Sequence, residues 1–283
     1  MTGGTVWNVG GGRVLGPSPF FIAGIVNVTP DSFYDGGRHA SPEQAVQHGL
    51  KLAREGADIL DVGGESTRPF APEVSVDEEL ARVIPVIRSL AQELGPDGPV
   101  LSVDTSKAPV ARAALEAGAL MVNDVSACCF DPGLAEVLAE HQPGYVLMHS
   151  QGRPGDMQKD PCYQDVVAEI LAFFEERLEF LARAGLLRSR VVLDPGIGFG
   201  KTLEHNLAIL AGIEKFLVLG RPLYLGLSNK SLWGKLLDLP PDGRQTATQV
   251  ATALMAARGV AVHRVHEVEL TRQTLALVRA VAG

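Results

Sequence analysis

Two groups of polar residues punctuate the chain, each member standing at or just beyond the end of a short apolar run. The first is Asp104, Asn123 and Asp194. An ionised carboxylate only accepts hydrogen bonds, so it suits a ligand edge that presents adjacent N–H donors, whereas an asparagine donates and accepts at once. Together they suit a flat heterocycle with mixed donors and acceptors, such as a pterin. The second group is basic: Arg264, His266, Lys230 and Arg68. Arg264 and His266 lie two positions apart, so on an extended segment they point the same way. This group suits a pyrophosphate.

The elements that must position these residues repeat. Apolar runs occur at 20–25 and onward, 58–62, 99–104, 120–124, 145–149, 191–194, 222–227 and 260–265. They are short and apolar on both parities, as strands buried on both faces of a parallel sheet are. Helical segments fit between them. Ser41-Pro42-Glu43 opens one that ends near Glu55-Gly56, and Ser75 with Glu78 has capping-box spacing for another through Leu90. Others are expected over 107–117, 131–140, 163–184, a short segment near Lys230, 245–258 and 268–281. Eight strand–helix units predict an α/β fold, a single (β/α)8 TIM barrel over residues 1–283, of the size such barrels need. The segment TVWNVGGGRVL predicts a short N-terminal β-hairpin closing the barrel bottom. An open doubly wound sheet is the alternative, but no GxGxxG follows the first strand.

Barrels of this kind carry their sites at the C-terminal strand ends. Here those ends bear Asn27, Asp104, Asn123-Asp124, Met148-His149, Asp194, Ser228-Asn229-Lys230-Ser231 and Arg264-Val265-His266. A lone aspartate at a strand end is as often a helix cap or an ion-pair partner. The second strand leads into GGESTRPFAP, and polar groups beyond the ends of all eight strands favour a ligand, because unpaired buried polar groups are costly.

Plainer roles are expected elsewhere. Asp124 and His149 read as structural, His263 as packing, Tyr145, Trp7 and Trp233 as core, and Cys128 and Cys129 as small apolar residues. Glu65 fits a buried partner for a basic neighbour. Gly200-Lys201-Thr202 resembles the end of a P-loop, but Pro195 stands where that motif needs glycine. The run after Asp194 reads instead as a glycine-rich turn that lets backbone approach a flat ligand.

The 283 residues are 46% hydrophobic and 20% charged, an ordinary globular composition, and the net charge of −8 argues against nucleic acid as a partner. Apolar stretches are all shorter than a membrane span, and the opening residues lack the pattern of a secretory signal. Three cysteines, two of them adjacent, do not form a disulfide framework, so a reducing, cytoplasmic setting is expected.

The stretches GIVNVTPDSFYDGG, GADILDVGGESTRP, LSVDTSK, NDVS, LDPGIGFGKT and RVHEV resemble, in order and over nearly the whole chain, the successive motifs of dihydropteroate synthases. The resemblance implies an enzyme that joins a pterin pyrophosphate to p-aminobenzoate, with Mg2+ as cofactor and small molecules as partners. It implies Asn27 as the metal ligand, the pyrophosphate holding the ion from the other side. Asp104, Asn123 and Asp194 match the pterin-edge contacts, with Lys230 reaching the ring, Met148 as an apolar wall and Gly198 beside it. Arg264, His266, Thr67 and Arg68 match the pyrophosphate grip. Phe33, Thr67, Pro69, Phe199 and Ser231 match positions around p-aminobenzoate, and Asp35 joins Asp104, Asp194 and Lys230 in the chemistry. The first and second loops, carrying Phe33 and Asp35 and Thr67–Pro69, close over the site in that family, and its members form homodimers.

Two departures stand out. The family's Ser-Arg-Lys-Ser after strand seven reads Ser228-Asn229-Lys230-Ser231 here, and its His-Met-Arg-Gly after strand five reads His149-Ser150-Gln151-Gly152. Each removes a positive charge. One rival is a barrel that presents methyltetrahydrofolate to a corrinoid protein; it would share the acceptors but lack NVTPDSF, STRP and the Arg-x-His of strand eight. A second rival is a homologue that binds pterin without turnover.

Overall fold

A computed structural model describes residues 4–29, 41–66, 71 and 73–282. Strands β1 (Thr5–Asn8) and β2 (Val14–Ser18) pair antiparallel as the expected hairpin. Eight strands follow: β3 (Phe21–Asn27), β4 (Ile59–Gly63), β5 (Val100–Asp104), β6 (Met121–Asp124), β7 (Gly144–Met148), β8 (Val191–Asp194), β9 (Leu223–Gly226) and β10 (Val260–Val265). They pair in parallel in sequence order, and β10 closes on β3. That closure excludes the doubly wound alternative. Around the barrel run α1 (Pro42–Glu55), α2 (Val76–Leu94), α3 (Ala108–Glu116), α4 (Leu134–His141), α5 (Val166–Ala184), α6 (Leu203–Ala211), α7 (Ser231–Leu237), α8 (Gln245–Ala257) and α9 (Val268–Ala282).

Caps set the helix ends. Ser41 and Gln44 form a capping box at α1, which stops at Gly56 in the left-handed region, φ 98°. The Ser75 hydroxyl accepts from Glu78 N at 3.2 Å. The α2 helix runs past Leu90 to Leu94 and stops at Gly95. The expected helix from residue 131 begins at Leu134 with Gly133 as its N-cap; Asp131 stands before it, accepting from Gly133 N at 3.0 Å and from Ala108 N, at the start of α3, at 2.8 Å. Likewise α5 begins at Val166, where Asp165 accepts from Val167 N and Ala168 N. The α6 helix was not anticipated; its capping box pairs Thr202 with His205, where the usual signature has Glu or Gln.

Strand parity divides the core. Leu60, Val62, Leu101, Val103, Val122, Leu147 and Leu193 face the helices. Phe21, Ala23, Ile59, Val100, Met121, Val146, Val192, Tyr224 and Val262 fill the lower barrel with Trp7, Val9 and Leu15 of the hairpin. Each large side chain so buried contributes about 1.5–3 kcal/mol. Trp7 satisfies its indole N–H on Arg190 O at 2.7 Å. The hairpin therefore plugs the N-terminal end and leaves the opposite end for chemistry.

Candidate active site

Continuing upward on the same inward parity, the apolar layer gives way to Asp61, Ser102, Asp104, Asn123, Asp194 and Arg264. Asp61 pairs in register with Ser102, and Asp104 with Asn123. Arg264 donates from Nε to Asp61 Oδ2 and from Nη2 to Asp104 Oδ2, both at 2.6 Å. Asp61 also accepts from Ser102 Oγ at 2.6 Å and Asn123 Nδ2 at 2.8 Å. Arg264 sits between Ala23 and Gly226, whose small size leaves room for the guanidinium. Burial opposes its charge, yet Asp61 and Asp104 outweigh that and hold its pKa above the usual value. Burial raises Asp104, against the pull of Arg264, with Asp61, Glu79 and Asp124 adding to the rise. Two carboxylates share one guanidinium, and direct pairing of this kind is the condition under which buried charge is tolerated.

A second cluster forms where β7 and β8 end. Met148 pairs with Asp194 in register, and its side chain packs with Val125, Met157 and Phe199. The Asp194 Oδ1 atom accepts from Gly196 N at 2.7 Å. Burial pushes Asp194 up to about 6, with the Gly196 N–H and then Lys230 opposing. Lys230 stands with Nζ 4.5 Å from the Phe199 ring centroid. Burial draws it down to about 8, and Asp194 pulls it back up. Cation over aromatic face, carboxylate alongside and thioether wall together make a slot for a flat, polar-edged ring.

The glycine turn does something other than expected. At Gly196, φ +69°, a Cβ would lie 1.9 Å from His149 O, and at Gly200, φ +61°, 2.4 Å from Gln151 O. These two glycines admit the backbone that follows β7, not a ligand. Gly198 differs: a Cβ there would meet Lys230 Cδ at 3.7 Å, so it does lie at the slot.

The remaining sequence candidates stand at the same end. Asn27 closes β3 beside Gly63. His266 follows β10, its Nδ1 2.9 Å from Ser228 Oγ. Ser231 opens α7 directly after Lys230. Phe33, Asp35, Thr67, Arg68 and Pro69 lie outside the described residues. Asp124 is structural, as expected: it faces outward and accepts from Tyr145 Oη at 2.8 Å, Ser126 N at 2.7 Å and Cys128 N at 2.6 Å. His263 is buried against Phe20. Trp7, Tyr145 and Trp233 are buried, but of the adjacent cysteines only Cys128 is; Cys129 is exposed.

Three residues that the sequence did not place in the site belong to this end. Asp61 anchors Arg264. Lys107 donates to Glu65 Oε2 and Glu79 Oε2 at 2.5 Å and to Val74 O at 2.8 Å, which identifies the basic neighbour of Glu65. Lys201 lies beneath the slot. A cavity of about 490 Å³ opens beside Asp104, lined by Lys107, Glu79, Phe130 and Arg153. Inward parity would have revealed Asp61; the two lysines lie in loops and gave no periodic signal.

Comparison with known proteins agrees with this geometry. Residues 23–266 match the family of pterin binding enzymes. The dihydropteroate synthase of Escherichia coli K12 is 44% identical over 259 residues, covering 92% of this chain and 90% of that protein. That of Mycobacterium leprae is 44% identical over 273 residues, covering 93% and 94%. Among solved structures, the Yersinia pestis dihydropteroate synthase with a sulfonamide drug superimposes with a TM-score of 0.92 at 41% identity, covering 98% of this chain and 99% of that one. The Xanthomonas albilineans dihydropteroate synthase in complex with 7,8-dihydropteroate gives 0.87 at 42% identity, covering 98% of each. The chain belongs to the pterin-binding enzymes and, among them, to the dihydropteroate synthases.

Proposed function

We propose that the protein condenses 6-hydroxymethyl-7,8-dihydropterin pyrophosphate with p-aminobenzoate, giving 7,8-dihydropteroate and pyrophosphate. The observation that carries this is the convergence of Asp104, Asn123 and Asp194 on one barrel end, with Lys230 over Phe199 beside them. The acceptors bind the N–H edge of the pterin, Met148 forms an apolar wall of its slot, and Phe199 reaches from that slot toward p-aminobenzoate. Arg264 orients Asp104 and keeps Nη1, which neither carboxylate takes, for the ligand. His266 and Arg264 meet the pyrophosphate, with Thr67 and Arg68 from the second loop. Phe33, Pro69 and Ser231 surround p-aminobenzoate, and Asp35 joins from the first loop.

Breaking the C–O bond to pyrophosphate leaves a pterin-methyl cation. The aniline nitrogen, already a neutral nucleophile, attacks it with its lone pair, and the resulting ammonium loses one proton to the released pyrophosphate or to water. Asp104 and Asp194 near the ring stabilise that charge, and water is kept out by the loops. Among the described residues no three His, Cys, Asp or Glu side chains could hold a metal between them. A single hard oxygen, that of the Asn27 amide, fits Mg2+, which retains waters and takes phosphate oxygens from substrate. When bound, the ion would neutralise charge on the departing pyrophosphate.

Self-association fits α8 and α9, where Val250, Leu254, Leu270 and Leu277 are exposed; light scattering at twice the chain mass checks the homodimer. No helix among the described residues is long and apolar enough to cross a membrane. The free cysteines suit the cytoplasm. The test of the pterin assignment is calorimetric binding of 6-hydroxymethylpterin: Asp194→Ala should abolish it, and near-normal affinity in that variant refutes the assignment.

A further inference from the structure

We propose that Lys201 is a positioning residue of the pterin site, tying the end of β7 to the turn after β8 and so fixing the Asp194 carboxylate from beneath. The proposal rests on the pterin reading above. Lys201 is 2% exposed. Its ammonium donates to Phe199 O at 2.9 Å, His149 Nδ1 at 3.0 Å and His149 O at 3.3 Å. All three acceptors are neutral, and among the described residues no carboxylate lies within salt-bridge distance of Nζ. A buried ammonium without a directly paired carboxylate costs several kcal/mol. A methionine would fill the same space without that cost, so packing alone does not explain a lysine.

What the ammonium holds is the frame around Asp194. His149 N donates to Asp194 O at 3.0 Å, while His149 O accepts from Lys201. Asp194 Oδ1 accepts from Gly196 N, and a Cβ on Gly196 would stand 3.4 Å from Lys201 Nζ. The Phe199 carbonyl is pinned by Lys201, and the Phe199 ring underlies Lys230. One cation thus fixes three things: the backbone behind Asp194, the turn whose N–H bonds its carboxylate, and the aromatic face of the slot. Because an ammonium only donates, His149 Nδ1 must accept, which leaves the ring neutral with its proton on Nε2. Phe173 holds that ring edge-to-face at 4.8 Å, and Tyr163 stands 6.0 Å away.

The electrostatics agree. Burial pulls Lys201 down to about 7, Asp194 draws it up, and Lys230 opposes. Asp194 faces Lys230, Lys201 and Arg264, and all three favour its ionised form. His149 is driven to about 3 by burial and then by Lys201, so it stays neutral. Removing the Lys201 charge should therefore make Asp194 easier to protonate, besides loosening its frame.

The test is the affinity for 6-hydroxymethylpterin, a ligand without phosphate, measured from about pH 5 to about pH 7.5 in wild type, Lys201→Met and Asp194→Asn. In wild type, affinity should fall as Asp194 takes up its proton. In Lys201→Met that midpoint should move up by about one unit, which weakens binding about tenfold near pH 5 and about twofold at neutral pH, and Asp194→Asn should lose that transition. Superimposable wild-type and Lys201→Met profiles overturn the positioning role and leave the pterin reading intact. A wild type that binds no pterin at any pH overturns both. If the methionine variant does not fold, 15N-histidine shifts of the wild type decide: Nδ1 of His149 unprotonated at neutral pH supports the clamp, and a doubly protonated ring overturns it.

Discussion

The Arg264 guanidinium, on the last barrel strand, lies 2.6 Å from Asp61 Oδ2, on the second, across 203 positions of sequence. The same guanidinium reaches Asp104 on the third strand. One side chain therefore orients a carboxylate expected to read the pterin edge while being held by a carboxylate buried out of ligand reach.

Asp61→Asn tests that arrangement. Asp61 is fully buried, so the variant leaves Arg264 one charged partner instead of two. Loss of one member of a buried charge pair costs roughly 3–5 kcal/mol. The urea midpoint should fall accordingly, and pterin affinity should weaken because Asp104 loses its oriented donor. Unchanged stability and affinity would show that Asp104 alone holds Arg264.

The pH dependence of stability tests Asp194. Burial raises its pKa from the ordinary 3.8 to about 6. Between those values the folded chain keeps a proton that the unfolded chain has released, so this group's contribution is greatest in acid. It declines as pH rises through that window and is level above about 6. Two such pH units correspond to roughly 3 kcal/mol at most. The stability of wild type minus that of Asp194→Asn should decline by up to that amount from about pH 4 to about pH 6. A difference that grows over that range contradicts the raised pKa.

Metal dependence tests Asn27. Chelation of Mg2+ should stop turnover without changing the affinity for unphosphorylated 6-hydroxymethylpterin. Asn27→Ala should raise the KM for the pyrophosphate substrate about tenfold, the effect of losing about 1.4 kcal/mol, and likewise spare the unphosphorylated ligand. Equal losses for both ligands would place Asn27 in the pterin contact instead.

Asn229 occupies left-handed backbone, φ 54°, and Arg244 Nη1 lies 3.4 Å from its carbonyl. Asparagine tolerates that conformation better than arginine, and a guanidinium already stands nearby. Asn229→Arg should cost about 1 kcal/mol of stability and lower the KM for the pterin pyrophosphate. An unchanged KM would show that the charge missing from the sequence is not a binding element, or is already supplied by Arg244.

The barrel was legible because its strands are buried on both faces and apolar on both parities, a pattern that loops and amphipathic helices do not give. Strand ends then identified Asp104, Asn123 and Asp194 as neighbours without any knowledge of contacts. Asp61 escaped because it lies within its strand, two residues before the end, where only the inward parity sets it apart from Leu60 and Val62. Lys107 and Lys201 escaped for another reason. Each acts by joining segments distant in sequence, Lys107 to Glu65 and Glu79, Lys201 to His149, and no local spacing encodes that. The α6 helix carries no usual signature because its cap uses His205, and of the three glycines in the turn only Gly198 borders the slot, since a close backbone approach can serve protein as readily as ligand.

The most direct measurement is turnover by the purified protein with 6-hydroxymethyl-7,8-dihydropterin pyrophosphate, p-aminobenzoate and Mg2+, following dihydropteroate and pyrophosphate together. The two products should appear in equal amounts, and omission of any component should abolish dihydropteroate. Pterin binding without any dihydropteroate, under conditions where a known dihydropteroate synthase turns over, would contradict the proposed function and leave a protein that binds pterin alone.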